Sequence, residues 1–296
     1  MHKRHIAVLA VSFGGIVAAG APRAGAQAVN WSALDTALGR KGAWNPDSVY
    51  KFTFPRVDLP VSKDGVDIRP TLALTSWAAF MPAPGGVMVM GDLVTTELSL
   101  RDLTVALRNG GVNPTAVHNH LVGETPHVMY VHFMATGNAS QLARAVRTAL
   151  DAAGLPSPDM SARAQPAFPF DTAGVSAALG RTGRMNGSVY QVAVPRANPV
   201  RVGGEVIPPA MGLATAINFQ PTPGGKAAIT GDFVLVESEV APVMQVLSAG
   251  GVQVTALHNH MAGEEPRIFF MHFWANANAV QLARVMHEAL GHMAVR

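Results

Sequence analysis

A histidine-centred segment occurs twice in this chain, and the duplication constrains the fold more than any other feature. Residues Val117-His118-Asn119-His120 return as Leu257-His258-Asn259-His260. The match extends into the flanking sequence at the following pairs: Gly91-Asp92 and Gly231-Asp232, Gly123-Glu124 and Gly263-Glu264, His132-Phe133 and His272-Phe273, Gln141-Leu142-Ala143-Arg144 and Gln281-Leu282-Ala283-Arg284. Self-similarity over so long a stretch indicates that one domain was duplicated.

The first residues have the pattern of a secretory signal peptide. His2-Lys3-Arg4-His5 is basic, an apolar run follows over residues 6–21, and Ala24-Gly25-Ala26 provides a small-residue exit. The run is too short and too rich in Gly to predict a membrane span. We therefore predict a signal peptide over residues 1–26. The protein is then exported, periplasmic or extracellular in a bacterium, with no stable membrane insertion after the leader is removed.

The formal charge of +3 comes from the leader, which contains Lys3, Arg4 and Arg23 and no acid. Without them, 22 − 3 = 19 basic side chains balance 19 acidic ones. A neutral chain gives no electrostatic reason to expect a nucleic acid or an anionic membrane as partner. The chain also has no cysteine. Any metal site must therefore use His, Asp, Glu or Met, because thiolate ligands are excluded.

The duplication sets the predicted domain boundaries. A Pro-rich connector over residues 155–170 separates repeat 1, residues 29–154, from repeat 2, residues 171–296. In each repeat the apolar spacing predicts a short helix and several strands, followed by a helix, two strands and a last helix. This order predicts an α+β fold, with two tandem homologous domains that each form an antiparallel sheet with helices packed on one face.

The histidines are the main candidates for chemistry. Six that follow the leader occupy duplicated positions: His118, His120, His132, His258, His260 and His272. Residues two apart on a strand point to the same face, so His118 and His120 are predicted to project together from a strand over residues 115–121. If the next turn places His132 opposite His118, the third ring lies on that face as well. Three such imidazoles can bind a divalent transition metal in each repeat, zinc first, with manganese, iron or copper as alternatives.

Carboxylates near the histidines are the next candidates. Glu124 and Glu264 lie in predicted hairpin loops, where each is a candidate catalytic base for a metal-bound water or a fourth ligand. The alternative is a solvated turn residue. Asp92 and Asp232 end a strand after Gly and are secondary site candidates, although an Asp in this position more often caps a turn.

Two families have similar motifs. The spacing His118-x-His120-x-x-x-Glu124 is similar to the first cupin metal motif, but His132 follows too soon for the second motif and helices intervene where a jelly roll needs strands. A resemblance to the LppY/LpqO family covers both repeats. It is carried by the segments at residues 255–261 and 271–274 and by Gly-Glu-x-Pro in each copy. It implies an exported bacterial protein with a duplicated domain of unknown function, and no established activity.

Three functions are compatible with the sequence. The first is an exported metalloprotein with a His-rich site in each repeat, acting as a metal-dependent hydrolase on an unknown small molecule. The second is a non-catalytic periplasmic module of the cell envelope that binds a metal or a small ligand. The third is a structural protein whose histidines brace the sheet. The oligomeric state and the choice between separate sites and one shared cleft stay open.

Overall fold

A computed structural model describes residues 29–155 and 167–296. The predicted signal peptide, residues 1–26, lies outside the described residues, as does most of the predicted linker, residues 155–170. The boundaries of these segments therefore stay predictions. Within the described part of the chain, no helix is both long enough and apolar enough to cross a membrane.

Repeat 1 alternates strands and helices in the predicted order. Its elements in chain order are α1 (Trp31–Leu38), β1 (Ala43–Asn45), β2 (Val49–Pro55), β3 (Ser62–Lys63), β4 (Val66–Asp67), β5 (Thr75–Ala83), β6 (Gly86–Thr96), α2 (Glu97–Asn109), β7 (Asn113–His118), β8 (Val128–Gly137) and α3 (Ala139–Ala152).

Repeat 2 has the same order with one additional short strand, β16, and two 3-10 turns. Its elements are α4 (Thr172–Leu179), β9 (Arg184–Asn186), β10 (Val189–Pro195), β11 (Val200–Val202), β12 (Glu205–Ile207), a 3-10 turn (Pro209–Met211), β13 (Ala214–Thr222), a 3-10 turn (Pro223–Gly225), β14 (Lys226–Val236), α5 (Glu237–Ala249), β15 (Gln253–His258), β16 (Glu264–Glu265), β17 (Ile268–Asn278) and α6 (Ala279–Leu290).

Each repeat forms one six-stranded antiparallel sheet. The strand order is β1-β2-β5-β6-β8-β7 in repeat 1 and β9-β10-β13-β14-β17-β15 in repeat 2. Strands β3 and β4 pair with each other, and β11, β12 and β16 form a small separate sheet. The two main sheets are therefore built in the same way, which confirms two tandem α+β repeats.

The helices of each repeat cover one face of its sheet, as predicted. In α3, Leu142, Val146 and Leu150 are buried at intervals of about one helical turn, which gives the helix an apolar side. The side chain of Asn138 caps its first turn by accepting a hydrogen bond from the Gln141 N–H at 3.0 Å. Helix α6 has the same pattern in repeat 2. The apolar sides of the helices pack on the aromatic side chains of the sheets.

The other faces of the two sheets pack against each other. Met88 and Met90 of β6 belong to the same apolar cluster as Val234 and Phe270 of repeat 2. A second cluster also joins the two repeats. The layers are therefore helices, sheet, sheet, helices. Because both faces of each sheet are covered, β6 is buried along almost its whole length.

Candidate functional site

All six duplicated histidines lie in one cluster between the two sheets. The ring centres are 3.7 Å apart for His118 and His258, 4.0 Å for His120 and His272, and 3.5 Å for His132 and His260. Each of these pairs joins one repeat to the other. The two predicted trios therefore form a single group with approximate two-fold symmetry, which we call the histidine cluster.

The strand register explains how each trio converges. Strand β7 ends at His118, and Ala116 rather than His118 pairs with His132 on β8. His118 pairs with Tyr130, two residues away. A shift of two residues keeps a side chain on the same face, so the rings of His118 and His132 still lie only 4.8 Å apart. In repeat 2 the pairing is equivalent.

Burial favours the neutral form of every imidazole in the cluster. Burial lowers the pKa of all six rings, to about 3 for His132. Neighbouring imidazoles lower the pKa further in every ring except His258, because a second positive charge close by is unfavourable. A neutral imidazole keeps one nitrogen lone pair, which is the form that binds metals.

In three of the six rings, hydrogen bonding of Nδ1 leaves the lone pair on Nε2. His118 Nδ1 and His258 Nδ1 each lie 3.2 Å from the carbonyl of the next residue, and His272 Nδ1 lies 2.8 Å from the Gly231 carbonyl. Donation from Nδ1–H to a carbonyl makes Nε2 the free acceptor, as in metal-bound histidines. The buried Nε2 atoms without a hydrogen-bond partner in the described chain belong to His118, His132, His258, His260 and His272.

Two sets of donor atoms are close enough to share an ion. One consists of His118, His258, His260 and His272, and the other of Asp92, His118 and His132, with all atoms of a set within 4.8 Å of one another. Two nitrogens bound to a tetrahedral zinc ion at about 2.1 Å each are about 3.4 Å apart. Donors that lie up to 4.8 Å apart in a set must therefore move closer together to ligate zinc. Because His118 belongs to both, its one free lone pair serves one set at a time.

The two duplicated aspartates have different surroundings. Asp92 Oδ2 lies 3.5 Å from His120 Nε2 and 3.8 Å from His132 Nε2, and its Oδ1 has no partner among residues 29–155 and 167–296. Asp232 instead accepts a hydrogen bond from the Ala216 N–H at 3.3 Å, and burial raises its pKa to about 7. Asp92 is therefore the carboxylate most closely associated with the histidines.

The predicted catalytic glutamates precede β8 and β17: Glu124 lies in a loop, and Glu264 is the first residue of the short strand β16. Glu124 Oε1 lies 2.7 Å from His127 Nδ1 and accepts a hydrogen bond from the Val128 N–H at 3.3 Å. Glu264 accepts the equivalent bond from Ile268 at 3.3 Å. Neither glutamate belongs to a set of close metal donors or lines the cavity described next. Their catalytic role stays a prediction. In the structure, their hydrogen bonds to backbone N–H groups stabilise the segments that lead into β8 and β17.

A cavity of about 980 Å³ adjoins the histidine cluster between the sheets. Its lining includes Asp92, His120 and His132 of repeat 1 and their counterparts Asp232, His260 and His272 of repeat 2. This volume is typical of a small-molecule site. A metal in the cluster would therefore be reachable from the cavity.

Comparison with protein families gives the relationship of the chain. The model of one family, described as Domain of Unknown Function (DUF1259), matches residues 32–152 and again residues 173–292. The chain belongs to the DUF1259 family. The double match confirms a duplicated domain of unknown function. No curated protein matches the chain.

Solved structures share little with this DUF1259 protein. The trimeric bacterial microcompartment shell protein PduB is 11% identical, with 85% of this chain and 90% of that chain covered and a TM-score of 0.21. EtuB from Clostridium kluyveri is 9% identical, with coverage of 85% and 91% and a TM-score of 0.19. An unknown protein from Galdieria sulphuraria is 14% identical, with coverage of 69% and 88% and a TM-score of 0.18. TM-scores this low support no argument about fold or function.

Sequence reasoning missed two residues of the cavity wall in this DUF1259 protein. Lys51 Nζ lies 4.1 Å from the centre of the Trp77 ring and donates a hydrogen bond to the Ala210 carbonyl at 3.1 Å. Burial lowers the pKa of Lys51 to about 8, so the amine is still mainly protonated at pH 7. The equivalent residues of repeat 2 are Gln191 and Ala216, from the strand register. The difference between the two repeats at these positions is the signal in the sequence that could have identified Lys51 and Trp77.

Proposed function

We propose that the histidine cluster binds a divalent transition metal, preferably zinc, and that the protein is a metal-dependent hydrolase acting on a small molecule in the adjoining cavity. The observation that carries the proposal is the set of buried Nε2 atoms without a hydrogen-bond partner among the described residues. Leaving such atoms unsatisfied costs about 1 to 3 kcal/mol each. A bound metal removes that cost by accepting the lone pairs.

The set formed by Asp92, His118 and His132 supports the hydrolase. Three protein ligands leave one position on a tetrahedral zinc for water, and Asp92 and His132 line the cavity. Zinc lowers the pKa of such a water towards about 7, which makes it a nucleophile at neutral pH. Asp232 is the general base in this proposal, because its carboxylate lines the same cavity.

A second candidate function is a non-catalytic module that binds the metal or a small ligand in the cell envelope. It is favoured by the set of four imidazoles from His118, His258, His260 and His272. Four nitrogen ligands saturate a tetrahedral zinc and leave no position for water. Metal storage or transfer would then replace hydrolysis.

The proposal includes the cellular setting. The leader over residues 1–26 has the pattern of a signal peptide, and the motifs of both repeats resemble the LppY/LpqO family. We accordingly assign the protein to the periplasm or the extracellular space of a bacterium. N-terminal sequencing of the protein from cells tests this assignment. A mature chain that begins near Gln27 supports it, and an intact leader contradicts it.

Metal analysis tests the proposal directly. Protein purified without chelators is expected to contain zinc in stoichiometric amount, and removal of the zinc should lower the melting temperature. His118→Ala should lose the metal, whereas His292→Ala, an exposed histidine outside the cluster, should retain it. Absence of bound metal, together with no stabilisation by added zinc, manganese, iron or copper, would reject the proposal.

Cobalt substitution distinguishes the two candidate functions. The visible spectrum of Co²⁺ reports the number and type of its ligands. A spectrum that changes when azide is added indicates an open position and favours the hydrolase. A spectrum that azide does not change indicates saturated ligation and favours the non-catalytic module.

A further inference from the structure

Corresponding rows of side chains cross the inner faces of the two sheets. In repeat 1 the paired residues are Thr53, Trp77, Asp92, His132 and Ala116. In repeat 2 they are Ala193, Ala216, Asp232, His272 and Ala256. Directly paired residues on neighbouring strands point to the same face, so each row is a continuous line of side chains.

The two rows are the same beside the histidine cluster and differ at the other end. Trp77 in repeat 1 is replaced by Ala216 in repeat 2, and Thr53 by Ala193. All four residues line the cavity. The small side chains of repeat 2 therefore leave space for the cavity. On the repeat 1 side, the cavity is bounded by the Trp77 indole.

The strand position of Lys51 is positively charged in repeat 1 and neutral in repeat 2, where Gln191 is its counterpart. The Lys51 amine donates one hydrogen bond, to the Ala210 carbonyl, and no second hydrogen-bond acceptor contacts it within the part of the chain that the structure describes. Its counterpart Gln191 is neutral. The Gln191 amide donates a hydrogen bond to the Thr71 carbonyl at 2.8 Å and accepts one from the Asn186 side chain at 3.0 Å. Lys51 thus has donors available for a ligand, and Gln191 is engaged with the protein.

Taken together, the charged residues of the cavity lining are five basic and three acidic side chains. The basic residues are Arg40, Lys41, Lys51, Arg184 and Arg296, and the acidic residues are Asp47, Asp92 and Asp232. Asp92 contacts the imidazoles of the cluster and belongs to a set of metal donors. An anion that enters the cavity therefore meets an excess of positive charge, whereas a cation would be repelled by Lys51.

We infer that the cavity binds a small organic anion whose carboxylate or phosphate group contacts Lys51 and whose body packs between Trp77 and Ala216. Neighbouring strands are about 4.8 Å apart, so β2 and β8 are separated by roughly 14 Å. A ligand of on the order of 10 Å can therefore reach from Lys51 towards the cluster. The inference deepens the proposed function by naming its substrate class, but the contact with Lys51 does not require the metal.

Calorimetric titration with phenyl phosphate, benzoate and neutral benzyl alcohol tests the inference. Metal-free and zinc-loaded protein should both bind at least one anion with a Kd of about 1 mM or tighter, and benzyl alcohol about tenfold more weakly. Lys51→Gln introduces the residue that repeat 2 already has at this position, and should weaken anion binding about tenfold. Lys51→Arg should keep the binding, because it keeps the charge.

The control is Lys226→Gln, which removes an exposed lysine outside the cavity and should bind the anions as the unmodified protein does. The inference is overturned if neither anion binds, if benzyl alcohol binds as tightly as they do, or if Lys51→Gln has no effect. Zinc content, measured on the same samples, separates this result from the proposed function. If the protein binds anions but contains no zinc, the inference about the anion stands and the proposed metal site is rejected. If the protein contains zinc but binds no anion, only the inference about the anion is rejected.

Discussion

The inner rows of the two repeats show which parts of the duplication are held in common. His132 and His272 stand in equivalent places and stack on His260 and His120 of the opposite repeat. At the far end, Trp77 faces a repeat that has Ala216 at its equivalent position. The histidine cluster therefore depends on the similarity of the repeats, and the cavity depends on their difference.

Removal of His118 should have the largest effect. His118 belongs to both sets of metal donors, whereas its counterpart His258 belongs to one. We expect His118→Ala to weaken zinc binding about 100-fold or more, and His258→Ala to weaken it less. Competition with a chromogenic chelator measures both affinities. Equal losses would show that the two repeats contribute equally, and no loss in His118→Ala would remove this residue from the site.

Filling the cavity from the repeat 2 side should have the next largest effect. Ala216→Trp gives repeat 2 the indole that repeat 1 has at this position. We expect it to weaken binding of phenyl phosphate about tenfold or more, because the added ring occupies the space of the ligand. Zinc affinity should not change, because Ala216 belongs to neither donor set. Unaltered phenyl phosphate binding would contradict the assignment of this space to the ligand.

Titration of Lys51 should make the free energy of unfolding depend on pH, and this dependence should be absent in Lys51→Gln. Burial lowers the pKa of Lys51 from 10.5 to about 8, although Asp232 and Asp92 act against the shift. Between these values the unfolded chain binds the proton and the folded chain does not, so the free energy of unfolding rises as the pH rises from 8 to 10.5. Compared with Lys51→Gln, the unmodified protein should gain up to about 3 kcal/mol over this range.

Urea unfolding of metal-free samples at intervals between pH 7 and pH 10.5 measures this gain. Only the difference between the two proteins is used, since other lysines and tyrosines titrate in both. A difference that stays constant with pH would show that the Lys51 amine is solvated in the folded protein.

The smallest effect is expected at the aromatic rings that flank the cluster. Tyr130 stacks on His120 with ring centres 3.4 Å apart, and Phe270 stacks on His260 at 3.2 Å. The Tyr130 hydroxyl donates to the Ala73 carbonyl at 3.1 Å. Tyr130→Phe should therefore lower the free energy of unfolding by about 1 kcal/mol, measured by urea unfolding, and leave zinc affinity unchanged. A large loss of zinc affinity would mean that the hydroxyl takes part in the site.

Local patterns were sufficient to predict much of the fold. The apolar spacing of Leu142, Val146 and Leu150 indicated a helix with one packed side, and the alternation around His118 indicated that the trio shares a face. The register was not predictable in the same way. The irregularity between Pro114 and Ala116 moves Ala116 opposite His132, and no local pattern specifies such a bulge.

The pairing of the two trios could not be derived from periodicity. His118 and His258 are far apart in the chain and meet through packing of one sheet on the other. Patterns within a strand show which face is apolar or polar, but they do not show what covers that face. Asp92 lies in the site because it pairs with His132 between the neighbouring strands β6 and β8. For Lys51 and Trp77 a signal existed, since both differ from their counterparts, but its meaning required the register of β2 and β5.

A crystal structure of the zinc-loaded protein, with anomalous diffraction at the zinc edge, tests most directly whether the histidine cluster binds the metal. We predict a strong anomalous peak inside the histidine cluster, about 2.1 Å from His118 Nε2 and from at least two other donors of the same set. The trios of both repeats should face each other around it. A cluster without a peak, with zinc bound only at surface histidines such as His292, would contradict metal binding by the histidine cluster.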